Sequence, residues 1–291
     1  MALFAIENNI VKVEIADKGA ELQSIFNKET RLEYLWDANP DFWAKKSPVL
    51  FPIVGGLKNN TFFFNDNPYQ LNRHGFARDS IFEVVLQEPD ALTFLLKPDE
   101  STRKNYPFEF EFYVEYKLSA NKLSVTYIVK NTDEKEMYFS VGAHPAFKVP
   151  LTSGTGFNDW FLQFDQNETE GIWPLTSDGL IKMHPVPFFQ GTDKIELNKQ
   201  LFYKDALVFK HLKSASISIL SNKTKHGLTV AYHHFPYMGI WSAKDADFVC
   251  IEPWCGIADS ENSLQQLNEK EGINALQPNN LFERSWSVAV F

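Results

Sequence analysis

Residues 108–118 alternate between apolar and charged side chains, and this pattern constrains the fold more than any other feature of the sequence. A period of two is that of a β-strand with one buried face and one face in water. The pattern is interrupted only at Tyr113, and it restarts at residues 123–129 after the polar stretch 119–122. The sequence therefore predicts a long antiparallel hairpin formed by these two stretches.

Other short segments carry the same signal, and helical patterns are few. Further strands are predicted near residues 11–15, 22–26, 91–96, 138–141, 206–209, 217–220, 228–234 and 286–291. Two or three helical turns are predicted over residues 262–271, and one turn over residues 99–105. The 26 Phe, 10 Tyr and 7 Trp residues also favour β-structure. With no linker and no internal repeat, we expect a single all-β sandwich domain spanning residues 1–291.

Composition excludes several classes of function. A chain of 291 residues that is 44% hydrophobic can bury a large core. Its net charge of -9 and the lack of a Lys/Arg cluster argue against a nucleic-acid partner. No segment is as long and apolar as a membrane helix, and residues 1–10 lack the basic start of a signal peptide. Cys250 and Cys255 lie too close in sequence to cross-link such a fold, which favours a cytoplasmic location.

Glu252 is the first candidate for chemistry. It directly follows the apolar run Phe248–Ile251 and precedes Pro253, so its carboxylate lies at the end of a buried strand. Burial without a partner raises the pKa of a carboxyl group, and proteins use this to make a base that works near neutrality. The alternative is a strand-end carboxylate that binds a backbone amide or a lysine.

Two further stretches resemble this arrangement. Residues 72–79 place His74, Arg73 and Arg78 around Gly75, which allows backbone to approach a ligand closely. The alternative for this stretch is a charged turn in which Arg78 pairs with Asp79. A second imidazole, in residues 139–147, lies between an apolar strand and a proline.

That second imidazole belongs to His144, which follows Gly142 and precedes Pro145. The alternative is a buried structural histidine. Together, two histidines and a glutamate supply a general acid, a second donor and a general base without a metal or a nucleophile. No histidine lies at metal-ligand spacing beside the cysteines, and no dinucleotide or phosphate loop is present, so no cofactor is expected.

Four motifs in this order and spacing resemble the aldose 1-epimerase (galactose mutarotase-like) family, in detail its LacX-type branch. They are Leu-Phe-Pro-Ile-Val-Gly at 50–55, His-Gly-Phe-Ala-Arg at 74–78, His-Pro-Ala-Phe at 144–147 and Ile-Glu-Pro-Trp at 251–254. The resemblance covers nearly the whole chain. It implies a β-supersandwich with few short helices, a sugar cleft on one sheet, and interconversion of the α and β anomers of a free aldose without a cofactor.

The resemblance also implies roles for single residues. Glu252 takes the proton of the anomeric hydroxyl, His144 protonates the ring oxygen, and His74 donates a hydrogen bond near that oxygen. Asp205 matches the acidic partner of the family's sugar site, and Arg78 binds a sugar hydroxyl or a more anionic group.

Aromatic side chains and the substrate are less constrained. Apolar sugar faces stack on aromatic rings, and the candidates are Trp36, Trp43, Trp241 and Trp254, with core packing as the alternative for each.

Galactose mutarotases carry an arginine in a Gly-Arg stretch before the first histidine, whereas residues 54–58 contain none. A different or larger sugar is therefore left open.

Other functions compatible with the same fold also stay open. A hexose-6-phosphate 1-epimerase would need at least two of Arg73, Arg78 and Lys58 in the cleft to meet the phosphate. A non-catalytic sugar-binding protein would have kept the fold and lost turnover. A glycoside hydrolase or lyase would need a second carboxylate near Glu252, and Asp205 is the candidate. A homodimer is also left open.

Overall fold

The computed structural model describes residues 1–291, and β-strands form most of it. The helical parts are one α-helix, α1 (Glu100–Asn105), and five short 3-10 turns, which are Lys58–Asn60, Ala77–Asp79, Phe157–Asp159, Lys199–Phe202 and Leu267–Glu269. The strands are β1 (Leu3–Glu7), β2 (Val11–Ala16), β3 (Leu22–Asn27), β4 (Leu32–Glu33), β5 (Val49–Leu50), β6 (Thr61–Phe64), β7 (Asn67–Gln70), β8 (Glu83–Gln87), β9 (Ala91–Leu96), β10 (Phe110–Ser119), β11 (Lys122–Asn131), β12 (Met137–Phe139), β13 (Val141–Ala143), β14 (Ala146–Lys148), β15 (Trp160–Glu168), β16 (Thr192–Glu196), β17 (Leu207–Phe209), β18 (Ser216–Ser221), β19 (Leu228–Ala231), β20 (Tyr237–Trp241), β21 (Phe248–Cys255), β22 (Asn274–Leu276) and β23 (Leu281–Val290). The all-β fold class is therefore confirmed.

Two large antiparallel sheets form the body of the protein. The first has nine strands in the order β16-β15-β18-β19-β23-β11-β10-β9-β8. The second has six strands, with β17-β20-β21-β13-β5 in order and β14 also paired with β21. A four-stranded sheet, β1-β2-β3-β4, and the two-stranded sheets β12-β22 and β6-β7 complete the fold. The predicted hairpin is confirmed as β10 and β11, paired from Phe110 with Asn131 to Ser119 with Lys122.

The main hydrophobic core lies between the two large sheets and contains 64 buried residues. The period-two pattern of β10 directs Phe112 and its apolar neighbours into this core, where Phe112 stacks on Phe51 with ring centroids 4.4 Å apart. Tyr113, the interruption in the pattern, lies on the wet face and donates its hydroxyl hydrogen to Glu111 Oε2 at 2.9 Å. Burial of this apolar face supplies the main favourable free energy of folding.

Strand β21 determines where the functional site lies. Because successive side chains of a strand point to opposite faces, Val249 and Ile251 enter the main core, whereas Cys250 and Trp254 belong to separate apolar clusters. Glu252 lies in the same alternation as Cys250 and Trp254. The carboxylate is therefore on the face of the six-stranded sheet that points away from the main core. The predicted strand end at Glu252 is wrong, because β21 continues through Pro253, which pairs with Met238, to Cys255.

One predicted helix is wrong and one is confirmed. Over residues 262–271 only the 3-10 turn Leu267–Glu269 forms, because Gln265 adopts a left-handed φ of 62° and its carbonyl accepts a hydrogen bond from Phe63 N at 2.7 Å. That pairing draws the segment towards β6 and interrupts the helical pattern. Helix α1 forms as predicted, and the Asp99 side chain caps it by accepting a hydrogen bond from Thr102 N at 2.8 Å.

The predicted strand over residues 228–234 is too long. Strand β19 ends at Ala231, and the chain then turns, with His234 at a φ of 64°.

None of the helices has the length and apolar character needed to cross a membrane. The organisation as a single domain stays a prediction.

Candidate active site

A cleft of about 620 Å³ opens on the outer face of the six-stranded sheet, and it is lined by the residues proposed from the sequence for catalysis or binding, except Trp36 and Lys58. This volume is typical of a small-molecule site. The residues brought together are Arg73, His74, Arg78, His144, Asp205, Glu252 and Trp254. They come from four separate parts of the chain, so the fold rather than the sequence creates the site.

Glu252 and His144 contact each other at the floor of the cleft. Nε2 of His144 lies 3.3 Å from Oε2 of Glu252, and the two side chains are 11% and 2% exposed. Burial raises the pKa of the Glu252 carboxyl well above its ordinary value, and the charge of Asp205 adds to this rise, whereas the Trp254 indole and the charge of Arg73 oppose it. Burial likewise lowers the pKa of the His144 imidazole to about 3. The surroundings therefore favour a protonated, uncharged Glu252 beside a neutral His144, so that the pair carries one titratable proton.

The second imidazole, His74, is fixed by backbone hydrogen bonds. The Gly55 amide donates to its Nδ1 at 3.1 Å, and the His74 amide donates to the Gly55 carbonyl at 2.9 Å. Since Nδ1 accepts a hydrogen bond, the ring proton of the neutral imidazole is on Nε2. Burial lowers the pKa of His74 well below its ordinary value, and nearby His144 lowers it further. His74 is therefore a neutral donor through Nε2.

Two tryptophans fix the His144 ring by packing. Trp43 stacks on the imidazole with centroids 5.0 Å apart, and Trp241 meets it edge-on at 5.7 Å. Nδ1 of His144 is buried without a hydrogen-bond partner, so no hydrogen bond determines whether this nitrogen carries a proton. The sequence suggested Trp43 and Trp241 for stacking on sugar, and both do line the cleft. Trp36 does not line it and instead donates its indole hydrogen to the Trp43 carbonyl at 2.9 Å.

Trp254 depends on glycines in the neighbouring strands. A Cβ atom at Gly239 would lie 2.3 Å from Cζ2 of Trp254, and one at Gly142 would lie 2.7 Å from its Cδ1. Gly239 pairs with Glu252 across β20 and β21, and Gly142 pairs with Trp254 across β13 and β21. The two glycines therefore leave room for the indole to lie against the sheet beside the carboxylate.

The cleft also carries two arginines of the predicted site. The Arg73 side chain lies against Gly179, where a Cβ atom would overlap its Nη2. Arg78 approaches Asp79 only to 3.6 Å, and its Nε is buried without a hydrogen-bond partner. The simple charged-turn interpretation thus leaves donor capacity unused at Arg78.

Two lysines in the cleft were missed by the sequence analysis. Lys204 and Lys244 line the cleft and form no ion pair. The only sequence signal for Lys204 was its position next to Asp205. Lys58, by contrast, lies outside the cleft lining and donates to the Glu261 carbonyl at 2.9 Å.

A group of potential metal ligands coincides with the acid–base pair. Donor atoms of His144, Cys250 and Glu252 lie within 4.8 Å of one another. No sequence motif indicated this group, because His144 reaches Cys250 only through the pairing of strands. Burial raises the pKa of the Cys250 thiol well above its ordinary value, whereas metals bind the thiolate. The arrangement therefore favours proton transfer over metal binding.

An all-β fold with a carboxylate, two imidazoles and indole rings in one cleft defines a galactose mutarotase-like protein. Residues 2–271 match the family model for aldose 1-epimerase, and the chain belongs to that family. The structure superposes on a galactose mutarotase related enzyme from Lactobacillus acidophilus with a TM-score of 0.95 and 38% identity, covering 100% of this chain and 97% of that one. The predicted β-supersandwich is thereby confirmed.

Sequence relatives confirm the predicted LacX-type branch. The chain is 32% identical over 296 residues to the chromosomal protein LacX of Lactococcus lactis subsp. lactis, with 98% of each chain covered. It is also 26% identical over 208 residues to a putative glucose-6-phosphate 1-epimerase of Salmonella typhimurium, with 68% of this chain and 64% of that protein covered.

Proposed function

We propose that the protein is an aldose 1-epimerase that interconverts the α and β anomers of a sugar by opening and reclosing its ring. The observation that supports this most directly is the 3.3 Å contact between His144 Nε2 and Glu252 Oε2 in the cleft. A base and an acid in contact with one substrate are what ring opening requires. Mutarotation also proceeds in water, so positioning and acid–base catalysis are sufficient without a cofactor.

In the proposed reaction Glu252 takes the proton from the anomeric hydroxyl, and His144 gives a proton to the ring oxygen. The bond between C1 and the ring oxygen breaks, C1 becomes an aldehyde, and rotation about C1–C2 exposes its other face. Ring closure reverses both proton transfers. The pair therefore alternates between carboxylate with imidazolium and carboxylic acid with neutral imidazole, and its net charge does not change.

Burial favours the second of these forms, which is the form present while the sugar ring is open. The carboxylate–imidazolium form needed to start the reaction is less stable in a buried site. The positive charge of Arg73 lowers the pKa of Glu252 and so offsets part of this cost. His74 donates its Nε2 hydrogen near the ring oxygen, Trp254 stacks on the apolar face of the sugar, and Asp205 accepts hydrogen bonds from its hydroxyls.

A hexose-6-phosphate is the second candidate substrate. Arg73 and Arg78 both line the cleft, which meets the requirement set for a phosphosugar epimerase, although Lys58 does not. Lys204 and Lys244 add two further cations to the cleft of a chain whose net charge is -9. Arginine and lysine donors suit a phosphate group. The relative named as a putative glucose-6-phosphate 1-epimerase agrees with this candidate.

The remaining alternatives receive less support. A non-catalytic sugar-binding protein has no need for Glu252, His144 and His74 to lie together in one cleft. A glycoside hydrolase needs a second carboxylate, and Asp205 lines the same cleft.

We propose a cytoplasmic location, since Cys250 and Cys255 are both free and buried and no other cysteine is present. Assembly as a homodimer stays a prediction.

The experiment that tests this function is a panel of exchange measurements by NMR, with free aldoses, 6-phosphorylated aldoses and aryl glycosides as substrates. We expect magnetisation exchange between α and β anomers to accelerate in proportion to protein concentration for one of the first two groups. Acceleration restricted to phosphorylated sugars would select the second candidate. Binding without acceleration would indicate a sugar-binding protein, and release of the aryl alcohol would indicate a hydrolase.

A further inference from the structure

We propose that Asp259 and Lys270, an ion pair outside the cleft, are positioning residues that fix the His74 imidazole in its Nε2-protonated form through Gly55. This inference rests on the proposed role of His74 as a donor to the sugar. Neither Asp259 nor Lys270 lines the cleft, and neither takes part in the proton transfers described above.

The pair is unusual because both charges are buried. Nζ of Lys270 lies 2.8 Å from Oδ1 of Asp259, and each side chain is only 3% exposed. Burying two charges carries a desolvation cost that their attraction repays only in part, so such a pair is a weak means of gaining stability. A specific geometric role is the better explanation, and the second carboxylate oxygen shows where that role lies.

Asp259 fixes the turn formed by residues 55–58. Its Oδ2 accepts a hydrogen bond from Lys58 N at 3.0 Å, and its backbone amide donates to the Gly56 carbonyl at 2.9 Å. Gly55 has a φ of 72°, and a Cβ atom there would lie 2.4 Å from Cβ of Ala258. Only glycine fits this close approach in the left-handed region. The turn is therefore held against the chain at residues 258–259.

The same turn carries the two backbone groups that fix His74. The Gly55 amide donates to Nδ1 of the ring, and the Gly55 carbonyl accepts from the His74 amide. His74 itself has a left-handed φ of 69°, a conformation that surrounding contacts must enforce in a residue with a side chain. If residues 55–58 relax, Nδ1 loses its donor, the ring is free to change tautomer, and the hydrogen on Nε2 is lost.

The test uses ¹⁵N-histidine NMR of the sugar-free protein together with steady-state kinetics. In the wild type we expect Nδ1 of His74 at the shift of an unprotonated ring nitrogen and Nε2 at that of a protonated one, with signals assigned through His74→Gln. The double variant Asp259→Ala/Lys270→Met removes the acceptor for Lys58 N without leaving an unpaired buried charge. We expect its His74 nitrogens to move towards the averaged shifts of mixed tautomers and its kcat to fall about 10- to 100-fold, a typical contribution of a supporting hydrogen-bond partner.

A conservative variant and a matched control separate positioning from stability. Asp259→Asn/Lys270→Met keeps an oxygen that can accept from Lys58 N, so we expect it to restore most of the wild-type shifts and kcat. Lys223→Met removes the lysine of another ion pair, whose Nζ lies 2.8 Å from Asp159 Oδ1, and should leave both readouts unchanged. Unchanged His74 shifts in a folded Asp259→Ala/Lys270→Met protein would overturn the proposal. Because the shifts are recorded without sugar, they test the proposal even if no aldose proves to be a substrate.

Discussion

His144 Nε2 lies 3.3 Å from Glu252 Oε2 because of the register of two strand pairs. Gly142 on β13 pairs with Trp254 on β21, and Ala146 on β14 pairs with Cys250 on the same strand. His144 falls midway between these pairs, and therefore opposite Glu252. Antiparallel pairing thus brings an acid and a base into contact, and no metal or mobile segment is needed to assemble them.

The contact leads to a prediction for the pH dependence. Activity requires one titratable proton on the pair. Activity is lost in acid, when His144 is protonated beside a protonated Glu252, and in alkali, when Glu252 is ionised beside a neutral His144. Because burial lowers the pKa of His144 to about 3 and raises that of Glu252, the active range extends to acid conditions. We expect kcat/KM, followed by polarimetry with the uncatalysed rate subtracted, to show no decline between about pH 7 and pH 5. An acid limb with its midpoint near the ordinary histidine value of about 6.5 would contradict this.

Much of the fold was predictable because it depends on local alternation. The charged and apolar residues of β10 specify its two faces, and only β-pairing satisfies such a pattern. Glu252 was recognisable because a carboxylate that directly follows an apolar run must be buried or partnered, even though it lies within β21 and not at its end. His74 and His144 were recognisable beside Gly75 and Pro145, which limit the backbone locally.

The remaining features depend on contacts between distant segments. The helical pattern of residues 262–271 is overridden by the hydrogen bond between Phe63 and Gln265. The stacking of Trp43 on His144 and the ion pair of Asp259 with Lys270 join residues whose proximity no local pattern encodes. Strand pairing and packing create these contacts, so they become visible only in the structure.

A second prediction separates binding from chemistry at Arg78. Arg78 lines the cleft and approaches Asp79 only to 3.6 Å, and a hydrogen bond to a charged donor contributes about 1.5–3 kcal/mol. We expect Arg78→Ala to raise KM about ten- to a hundredfold with little change in kcat, because the contact lasts throughout the reaction. Arg103→Ala, which removes an exposed arginine paired with Glu109, is the control and should leave KM unchanged. A fall in kcat at unchanged KM would instead place Arg78 in the chemical step.

A third prediction concerns the space that Gly239 leaves for Trp254. A methyl group at Gly239 would lie 2.3 Å from the indole, so the ring must move. We expect Gly239→Ala to lower the free energy of unfolding by about 1–3 kcal/mol and to raise KM about three- to tenfold through lost stacking. Gly156→Ala, where the new methyl group would lie 3.7 Å from Asp159 Oδ2, an ordinary van der Waals distance, should change neither quantity. An unchanged KM in folded Gly239→Ala would remove Trp254 from the sugar site.

A fourth prediction concerns metals. The proposed chemistry uses only proton transfers between sugar oxygens, Glu252 and His144. We therefore expect dialysis against EDTA to leave kcat and KM unchanged. Loss of activity that a divalent cation restores would show that His144, Cys250 and Glu252 work as metal ligands and would replace the acid–base account.

The most direct test of the central claim is the turnover and sugar affinity of Glu252→Gln. Glutamine keeps the size of the side chain and most of its hydrogen bonds but cannot accept the anomeric proton, and general acid–base groups typically contribute about a hundred- to ten-thousandfold. Glu283→Gln, an exposed change on β23, is the control. We predict that Glu252→Gln binds sugar with near wild-type affinity, measured by calorimetry, while its kcat falls by that factor. Near-full kcat in this variant would show that Glu252 is only a buried structural carboxylate.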